Sequence, residues 1–257
     1  MGDYVALQGL TLIKPNWPVP DHIKAWSTTR MGGVSEAGFG TFNTATHVND
    51  ALEAVTKNRA KLATALSLPS DPVWLDQVHE TSVLNVDLSF ENNVADASFS
   101  TLAGKVCVIQ TADCLPVLLS DRAGTAVAAV HAGWRGLCAG VLEVALDRFS
   151  ASPNDIFVWL GPAISRAAFV VGDEVRDAFM AQDKSAESCF QPSSNKNNNK
   201  WLADLYGLAR QRLNTCGVEN IFGGDWCTYT HQEHFYSYRR DGQTGRMASL
   251  IWMAEQP

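Results

Sequence analysis

The chain has 257 residues, of which 46% are hydrophobic, and its formal net charge is −7. The length fits one large domain or two small ones with a sizeable core. There is neither the basic stripe of a nucleic-acid binder nor an apolar run near the roughly 20 residues of a membrane-spanning helix. The N-terminus has no secretory pattern, so we expect a cytoplasmic protein whose six cysteines are reduced.

Helices are expected to alternate with short strands along the chain. Asp50 followed by Glu53 resembles a capping box at the start of a first helix. A second helix is predicted over Leu137–Phe149 and a third over Trp201–Asn214, with Gly217 placed to end it. The apolar face of the first helix is formed by Leu52, Val55, Leu62 and Leu66. Strands are predicted at Val73–Val78, Val106–Gln110, Val117–Ser120, Ala126–Val130 and Ile156–Leu160.

The middle strands are continuous apolar runs, which favours strands buried on both faces. We therefore predict an α/β (α+β) fold of mixed sheets covered by helices. The segment PSSNKNNNK, residues 192–200, is polar and aperiodic and is interpreted as a surface loop. It is read as an insertion, so residues 1–257 are predicted to form one catalytic domain.

The stretch from Val106 to Gly136 places a cysteine and a histidine in neighbouring strands. Its turn, Asp121–Gly124, is typical of a four-residue hairpin loop. If Ser120 paired with Thr125, Cys114 would lie opposite His131, with Cβ atoms about 4.5–5.5 Å apart. A thiolate and an imidazole at this spacing can share a metal ion or a proton, whereas a register shift of one residue would separate them.

His79 ends another predicted strand and completes a set of possible metal ligands. Two imidazole nitrogens and one sulfur would leave a tetrahedral ion with one open position, which is typical of catalytic zinc that activates a water molecule. The sequence therefore predicts a zinc-like site at His79, Cys114 and His131.

Glycine-containing turns near these residues carry arginines, which suit bidentate binding of phosphate or carboxylate. Arg240 and Arg122 are interpreted instead as solvated surface side chains. The turns are Thr28–Gly33, Ala132–Gly136 and Tyr236–Gly242.

Several segments resemble those of the laccase-domain family, also described as multicopper polyphenol oxidases and as purine nucleoside phosphorylases. The resemblance implies that His79, Cys114 and His131 are the metal ligands. It also implies a fold related to cysteine deamidase toxins. That kinship offers an alternative interpretation of Cys114 and His131, as a nucleophile and its base. Two positions depart from the family pattern. Glu80 follows QVH where the family usually has glycine, and residues 41–43 are TFN where the family usually has SLN, so that Asn43 is kept. The segments are STTRMGGVS, DQVH, TADCLPVLLSD, HAGWRG, GPAI with VVGDEV, and CTYTHQEHFYSYRRDGQTGR.

For activity, the resemblance implies phosphorolysis of adenosine, inosine and methylthioadenosine, with adenosine deamination as a second reaction. The expected cofactor is zinc, with copper conceivable, and the expected partners are a purine nucleoside and phosphate. The oligomeric state is predicted as monomer or weak homodimer. Other members are described as editing factors that act on peptidoglycan precursors, or as oxidases. With six histidines, the chain is too poor in imidazole for a full multicopper cluster.

Residue roles follow from this leading hypothesis. Cys114, His131 and Arg30 are the predicted catalytic residues, and Arg30 and Arg239 are expected to converge near the metal as the phosphate site. Asn43 and Cys227 are further candidates for substrate binding, with Cys227 as a cavity thiol that does not bind metal. The aromatic residues considered for stacking on a base, with a place in the core as the alternative, are Phe39, Phe42, Trp134 and Tyr236.

Overall fold

The computed structural model describes residues 2–193 and 199–255, so most of the predicted polar loop at 192–200 lies outside the described residues. None of the helices in this part of the chain combines the length and apolar character needed to cross a bilayer. The helices, α1 to α6, are Leu52–Leu66, Trp134–Ala139, Val141–Leu146, Asp173–Gln182, Leu205–Thr215 and Tyr238–Asp241. The strands, β1 to β14, are Asp3–Leu7, Leu10–Lys14, Ile23–Thr28, Val83–Asn85, Ala97–Ser100, Val106–Thr111, Leu115–Asp121, Val127–Ala132, Ile156–Leu160, Val170–Gly172, Phe190–Pro192, Lys200–Ala203, Asn220–Gly223 and Met247–Met253.

The strands form three sheets. One is five-stranded with the order β1-β2-β3-β14-β6, one is six-stranded with the order β13-β9-β7-β8-β5-β4, and one is a small three-stranded sheet, β10-β12-β11. In the six-stranded sheet β9 pairs in parallel with β13 and antiparallel with β7. The prediction of a mixed α+β fold is therefore confirmed.

The two larger sheets pack face to face, and helices cover their outer faces. Leu118 and Trp159 of the six-stranded sheet share a buried cluster with Ile109 of the five-stranded sheet. On the opposite face, Leu119 packs with Leu208 of α5. Every residue of β6, β7, β8 and β9 is buried, because both faces of these strands are covered. The expectation of strands buried on both faces is confirmed.

The β7–β8 hairpin has a different register from the one predicted. Ser120 pairs with Val127, and His131 lies opposite Pro116, so the register is shifted by two residues. The carboxylate of Asp121 accepts hydrogen bonds from the backbone N–H groups of Thr125 and Ala126. These two residues therefore belong to the turn, and the strand pairing begins two residues later than predicted. A shift of two keeps each side chain on its predicted face.

Three of the predicted elements also need correction. No capping box forms at α1, because the Asp50 carboxylate accepts hydrogen bonds from Ser35 and Asn43 instead. The predicted second helix is broken in two at Gly140, whose φ of 104° ends α2. The strand predicted at Val73–Val78 is an extended segment with isolated bridges only.

The third predicted helix begins later than expected. Trp201 belongs to strand β12, and the helix starts at Leu205 after Asp204, whose side chain accepts a hydrogen bond from the N–H of Gly207. This N-cap fixes the start of α5 more strongly than the apolar periodicity that suggested Trp201. The helix ends at Thr215, and Gly217 follows with a φ of 84°, as predicted.

Candidate metal centre

Three side chains from separate segments meet at one end of the six-stranded sheet. The ligand atoms of His79, Cys114 and His131 all lie within 4.8 Å of one another. Cys114 directly precedes β7, and His131 lies near the end of β8. The Cys114 Sγ is 3.8 Å from the Nε2 of His79. The structure therefore brings together the trio that the sequence selected, which we call the ligand wall.

A buried carboxylate, Asp96, holds two members of the ligand wall in place. Its Oδ1 lies 2.7 Å from the Nδ1 of His131, which leaves the Nε2 of that ring free to bind a metal. The same carboxylate accepts hydrogen bonds from the backbone N–H groups of Val78, His79 and Glu80. A carboxylate behind a ligating histidine is the usual support of a metal site.

The backbone beside the ligands is shaped by these contacts. His79 has a φ of 65° and Asp113 a φ of 93°, which non-glycine residues adopt rarely. The three N–H···carboxylate bonds at Asp96 hold the first of these turns. Asp113 accepts hydrogen bonds from the hydroxyl of Thr228 and the N–H of Arg239, which hold the second. Both turns direct a ligand side chain towards His131.

Glycines in the segment HAGWRG leave room for the ligand wall. A Cβ at Gly133 would lie 2.8 Å from the Cδ2 of His79 and 3.1 Å from the Cys114 Sγ. A Cβ at Gly136 would lie 2.7 Å from the carbonyl oxygen of Glu80. The turn after β8 therefore needs glycine because the His79 segment packs directly against it.

The electrostatics of the trio favour a charged pair. Burial alone would raise the pKa of the Cys114 thiol, but His131 and His79 hold that pKa below its usual range. Burial alone would lower the pKa of His131, but Cys114 and Asp96 raise it. A thiolate is the form of cysteine that binds metals. Two nitrogens and one thiolate sulfur, with a supporting carboxylate, fit zinc.

The ligand wall forms one side of a cavity of about 420 Å³. The opposite side carries Tyr238 and Arg246, which we call the C-terminal wall. A larger depression of about 760 Å³ lies elsewhere and contains no residue of the trio. Cavity size alone would therefore have missed the site. The cavity is completed by His47, Gln77, Gln110, Thr111 and Ala112.

Arg246 is a half-buried cation held in place through its backbone. Its N–H donates to the Oδ1 of Asn43, and its carbonyl oxygen accepts a hydrogen bond from the hydroxyl of Thr44. Its guanidinium donates to the carbonyl oxygens of Thr244 and Gly245. Within residues 2–193 and 199–255, no carboxylate lies within ion-pair distance of it. An arginine placed in this way retains the capacity to bind an anion.

The predicted convergence of Arg30 and Arg239 near the ligands is corrected by the structure. Arg30 donates to the carbonyl oxygen of Gln232 and packs over the ring of Tyr236, so it lines two shallow depressions outside the cavity. Arg239 packs over Phe169, and only its backbone N–H reaches the site, through Asp113. The arginine in the cavity is Arg246.

The two other residues predicted to bind substrate, Asn43 and Cys227, do not line the cavity. Asn43 is fully buried, and its amide contacts Ala45 and Asp50 besides Arg246. Cys227 is buried and does not line the cavity, so the prediction of a cavity thiol is corrected. Burial would raise its pKa, but hydrogen bonds from Ser165 and Thr230 lower it.

The two arginines interpreted as surface residues differ. Arg122 is solvated, with 57% of its side chain exposed and an ion pair to Asp155. The Arg240 side chain is only 14% exposed. It donates to the carbonyl oxygens of Thr228 and Phe235, so that interpretation is wrong for this residue.

None of the four aromatic residues considered for stacking lines the cavity. Phe42 and Tyr236 are fully buried, Trp134 packs against the core, and Phe39 accepts a hydrogen bond from Tyr236 through its carbonyl oxygen. The cavity is lined instead by the exposed ring of Tyr238.

Known proteins resemble this chain over nearly its whole length. A family model described as "Multi-copper polyphenol oxidoreductase laccase" matches residues 24–254. The chain belongs to this family. "Purine nucleoside phosphorylase YfiH" of Shigella flexneri is 54% identical to it over 243 residues, which cover 94% of this chain and 98% of the relative.

Two further relatives match this chain over a similar share of its length. A "Purine nucleoside phosphorylase" of Haemophilus influenzae is 49% identical over 240 residues, which cover 93% of this chain and 98% of the relative. The solved structure of the Neisseria meningitidis protein NMB0706 superposes with a TM-score of 0.89 at 44% identity, covering 95% of this chain and 99% of that one. The family match and the fold thus extend over nearly the whole chain.

Proposed function

We propose that this protein is a zinc-dependent purine nucleoside phosphorylase that acts on adenosine, inosine and methylthioadenosine, and that it deaminates adenosine as a second reaction. The observation that carries the proposal is that one cavity holds both a possible metal site and a half-buried arginine that, among the described residues, has no carboxylate partner. Its volume of about 420 Å³ lies within the range of small-molecule sites, roughly 300–1,000 Å³. The names of the relatives agree with this substrate class.

The three residues of the ligand wall would hold one zinc ion. When bound, zinc supplies a Lewis acid that polarises an oxygen atom at the site. Asp96, which lies within hydrogen-bond distance of the Nδ1 of His131, would keep the Nε2 of that ring available to the ion. Gly133 keeps the space beside Cys114 and His79 open.

Arg246 would bind the phosphate. In phosphorolysis a phosphate oxygen attacks C1′ of the ribose while the C1′–N9 bond breaks, and the bonding electron pair leaves with the purine, which takes up a proton. The products are ribose 1-phosphate, or its methylthio analogue, and the free base. A guanidinium stabilises the phosphate charge during this exchange. In deamination, water adds at C6 and ammonia leaves, so no phosphate is needed.

An assay with inosine tests the proposal. Hypoxanthine should be released only when phosphate is present, and the Arg246→Ala variant should lose about 10-fold to 150-fold in kcat/KM for phosphate, as expected for a lost contact of about 1.5–3 kcal/mol. Arg30→Ala is the matched control and also tests the sequence-based assignment of phosphate to Arg30. Equal losses in the two variants, or release of hypoxanthine without phosphate, would count against the proposal.

A second candidate is an amide hydrolase that acts on peptidoglycan precursors, favoured by the array of Cys114, His131 and Asp96. In that reaction the sulfur would attack the amide carbon, His131 would protonate the leaving amine, and water would release the acid. Release of serine from a muramyl-serine precursor in the assay would identify this function. The multicopper oxidase reading has less support, because the residues described by the structure contain one three-ligand group.

A further inference from the structure

Tyr238 presents an exposed aromatic ring at the cavity. Of its surface, 61% is exposed, and it lines the cavity with the metal-ligand trio. The guanidinium carbon of Arg246 lies 5.9 Å from the centre of its ring. An exposed ring beside the proposed phosphate residue therefore faces the space that the rest of a substrate would occupy.

The backbone on both sides of Tyr238 is fixed to the centre of the site. Ser237 is fully buried, and its hydroxyl accepts a hydrogen bond from the N–H of Arg240. The N–H of Arg239 donates to the carboxylate of Asp113, the residue before Cys114, at 2.7 Å. The ring is thus exposed, while the backbone that carries it is anchored to the loop that bears Cys114. This arrangement suits a rigid binding platform better than a solvated surface residue.

We infer that the ring of Tyr238 is the platform on which the purine base stacks, and that it sets the preference for flat bicyclic bases. The inference rests on the proposed function. A stacking face makes no distinction between a 6-amino and a 6-oxo group, so one ring accommodates adenine and hypoxanthine alike. A single-ring pyrimidine covers less of the platform and is bound more weakly.

Binding and kinetics of Tyr238 variants test the inference. Tyr238→Ala should weaken the binding of inosine to the zinc-loaded protein by about 10-fold to 100-fold, measured by calorimetry, and raise the KM for inosine similarly. Tyr238→Phe retains the ring and should restore the affinity. The zinc content should be unchanged in both. Tyr229→Ala is the matched control, because Tyr229 is 39% exposed but does not line the cavity.

The outcomes separate this inference from the proposed function. Unchanged inosine binding in Tyr238→Ala, or an equal loss in Tyr238→Phe, would overturn the stacking role. If the wild-type protein binds inosine through Tyr238 but shows no phosphate-dependent turnover, the platform stands and the proposed phosphorylase function fails.

Discussion

The two walls of the cavity are built in different ways. In the ligand wall, two side chains lie at strand ends, and a fully buried carboxylate, Asp96, fixes the third segment. The C-terminal wall is a loop and a short helix, and Arg246 is held through backbone contacts to Asn43 and Thr44. The positions of the candidate ligands therefore depend on a few buried hydrogen bonds. The opposite wall depends on contacts between loops, which leave its side chains facing the cavity.

The largest expected effect breaks the ligand wall itself. Cys114→Ala removes the thiolate, so zinc should fall from about one ion per chain to background in elemental analysis, and turnover should be lost. The fold should persist, because Cys114 belongs to none of the three hydrophobic clusters of the core. Cys216→Ala, which changes a half-buried thiol outside the trio, is the control. Unchanged zinc content in Cys114→Ala would show that Cys114 is not a metal ligand. Global unfolding of this variant would show that the metal has a structural role.

A smaller effect is expected from the supporting carboxylate. Asp96→Asn keeps the size of the side chain but replaces one acceptor oxygen with an N–H₂ group that faces the backbone N–H donors. Zinc affinity, measured by competition with a chelator, should fall about 10-fold to 100-fold. The free energy of unfolding of the zinc-free protein should also fall, by about 1–3 kcal/mol. Wild-type zinc affinity in this variant would show that Asp96 supports the fold alone.

The space at the ligand wall can be tested with one methyl group. Gly133→Ala places a Cβ 2.8 Å from the Cδ2 of His79, so zinc affinity should weaken by less than in Asp96→Asn as His79 shifts aside. Gly38→Ala is the control, because its Cβ would meet nothing closer than 3.7 Å. Equal zinc affinities in the two variants would show that the close approach of Gly133 does not position His79.

The smallest expected effect concerns a thiol of the core, Cys107, whose pKa is raised where that of Cys114 is lowered. Cys107 is fully buried in β6, and burial raises its pKa to about 12. An unfolded thiol ionises near pH ~8.5, so above that pH only the unfolded chain loses this proton, and the free energy of unfolding falls as pH rises towards 12. Urea denaturation at pH 8 and pH 10 should show a shallower pH dependence in Cys107→Ala. Identical slopes would contradict the raised pKa.

Part of the site could be read from the sequence because short-range patterns carry it. Cys114 and His131 lie on either side of one hairpin, so the period-2 alternation of strands placed them on one face even though the register was wrong by two residues. The glycines beside Arg30 led to a wrong prediction, because they were interpreted as a turn that approaches a ligand. Gly33 is required because a Cβ there would lie 2.1 Å from the carbonyl oxygen of Thr41, a packing contact rather than a ligand approach.

The sequence alone was enough to predict the strands β6 to β9, the mixed α+β class and the three candidate ligands, since each depends on local apolar runs or recognisable motifs. Only the tertiary structure revealed Asp96, Arg246 and Tyr238 as the residues that complete the site. Asp96 acts across 35 residues of chain on His131, and a buried acid in an ordinary polar stretch carries no local signal. Arg246 and Tyr238 stand in a segment rich in arginine and tyrosine, and which of these side chains faces the cavity is decided by packing between distant loops.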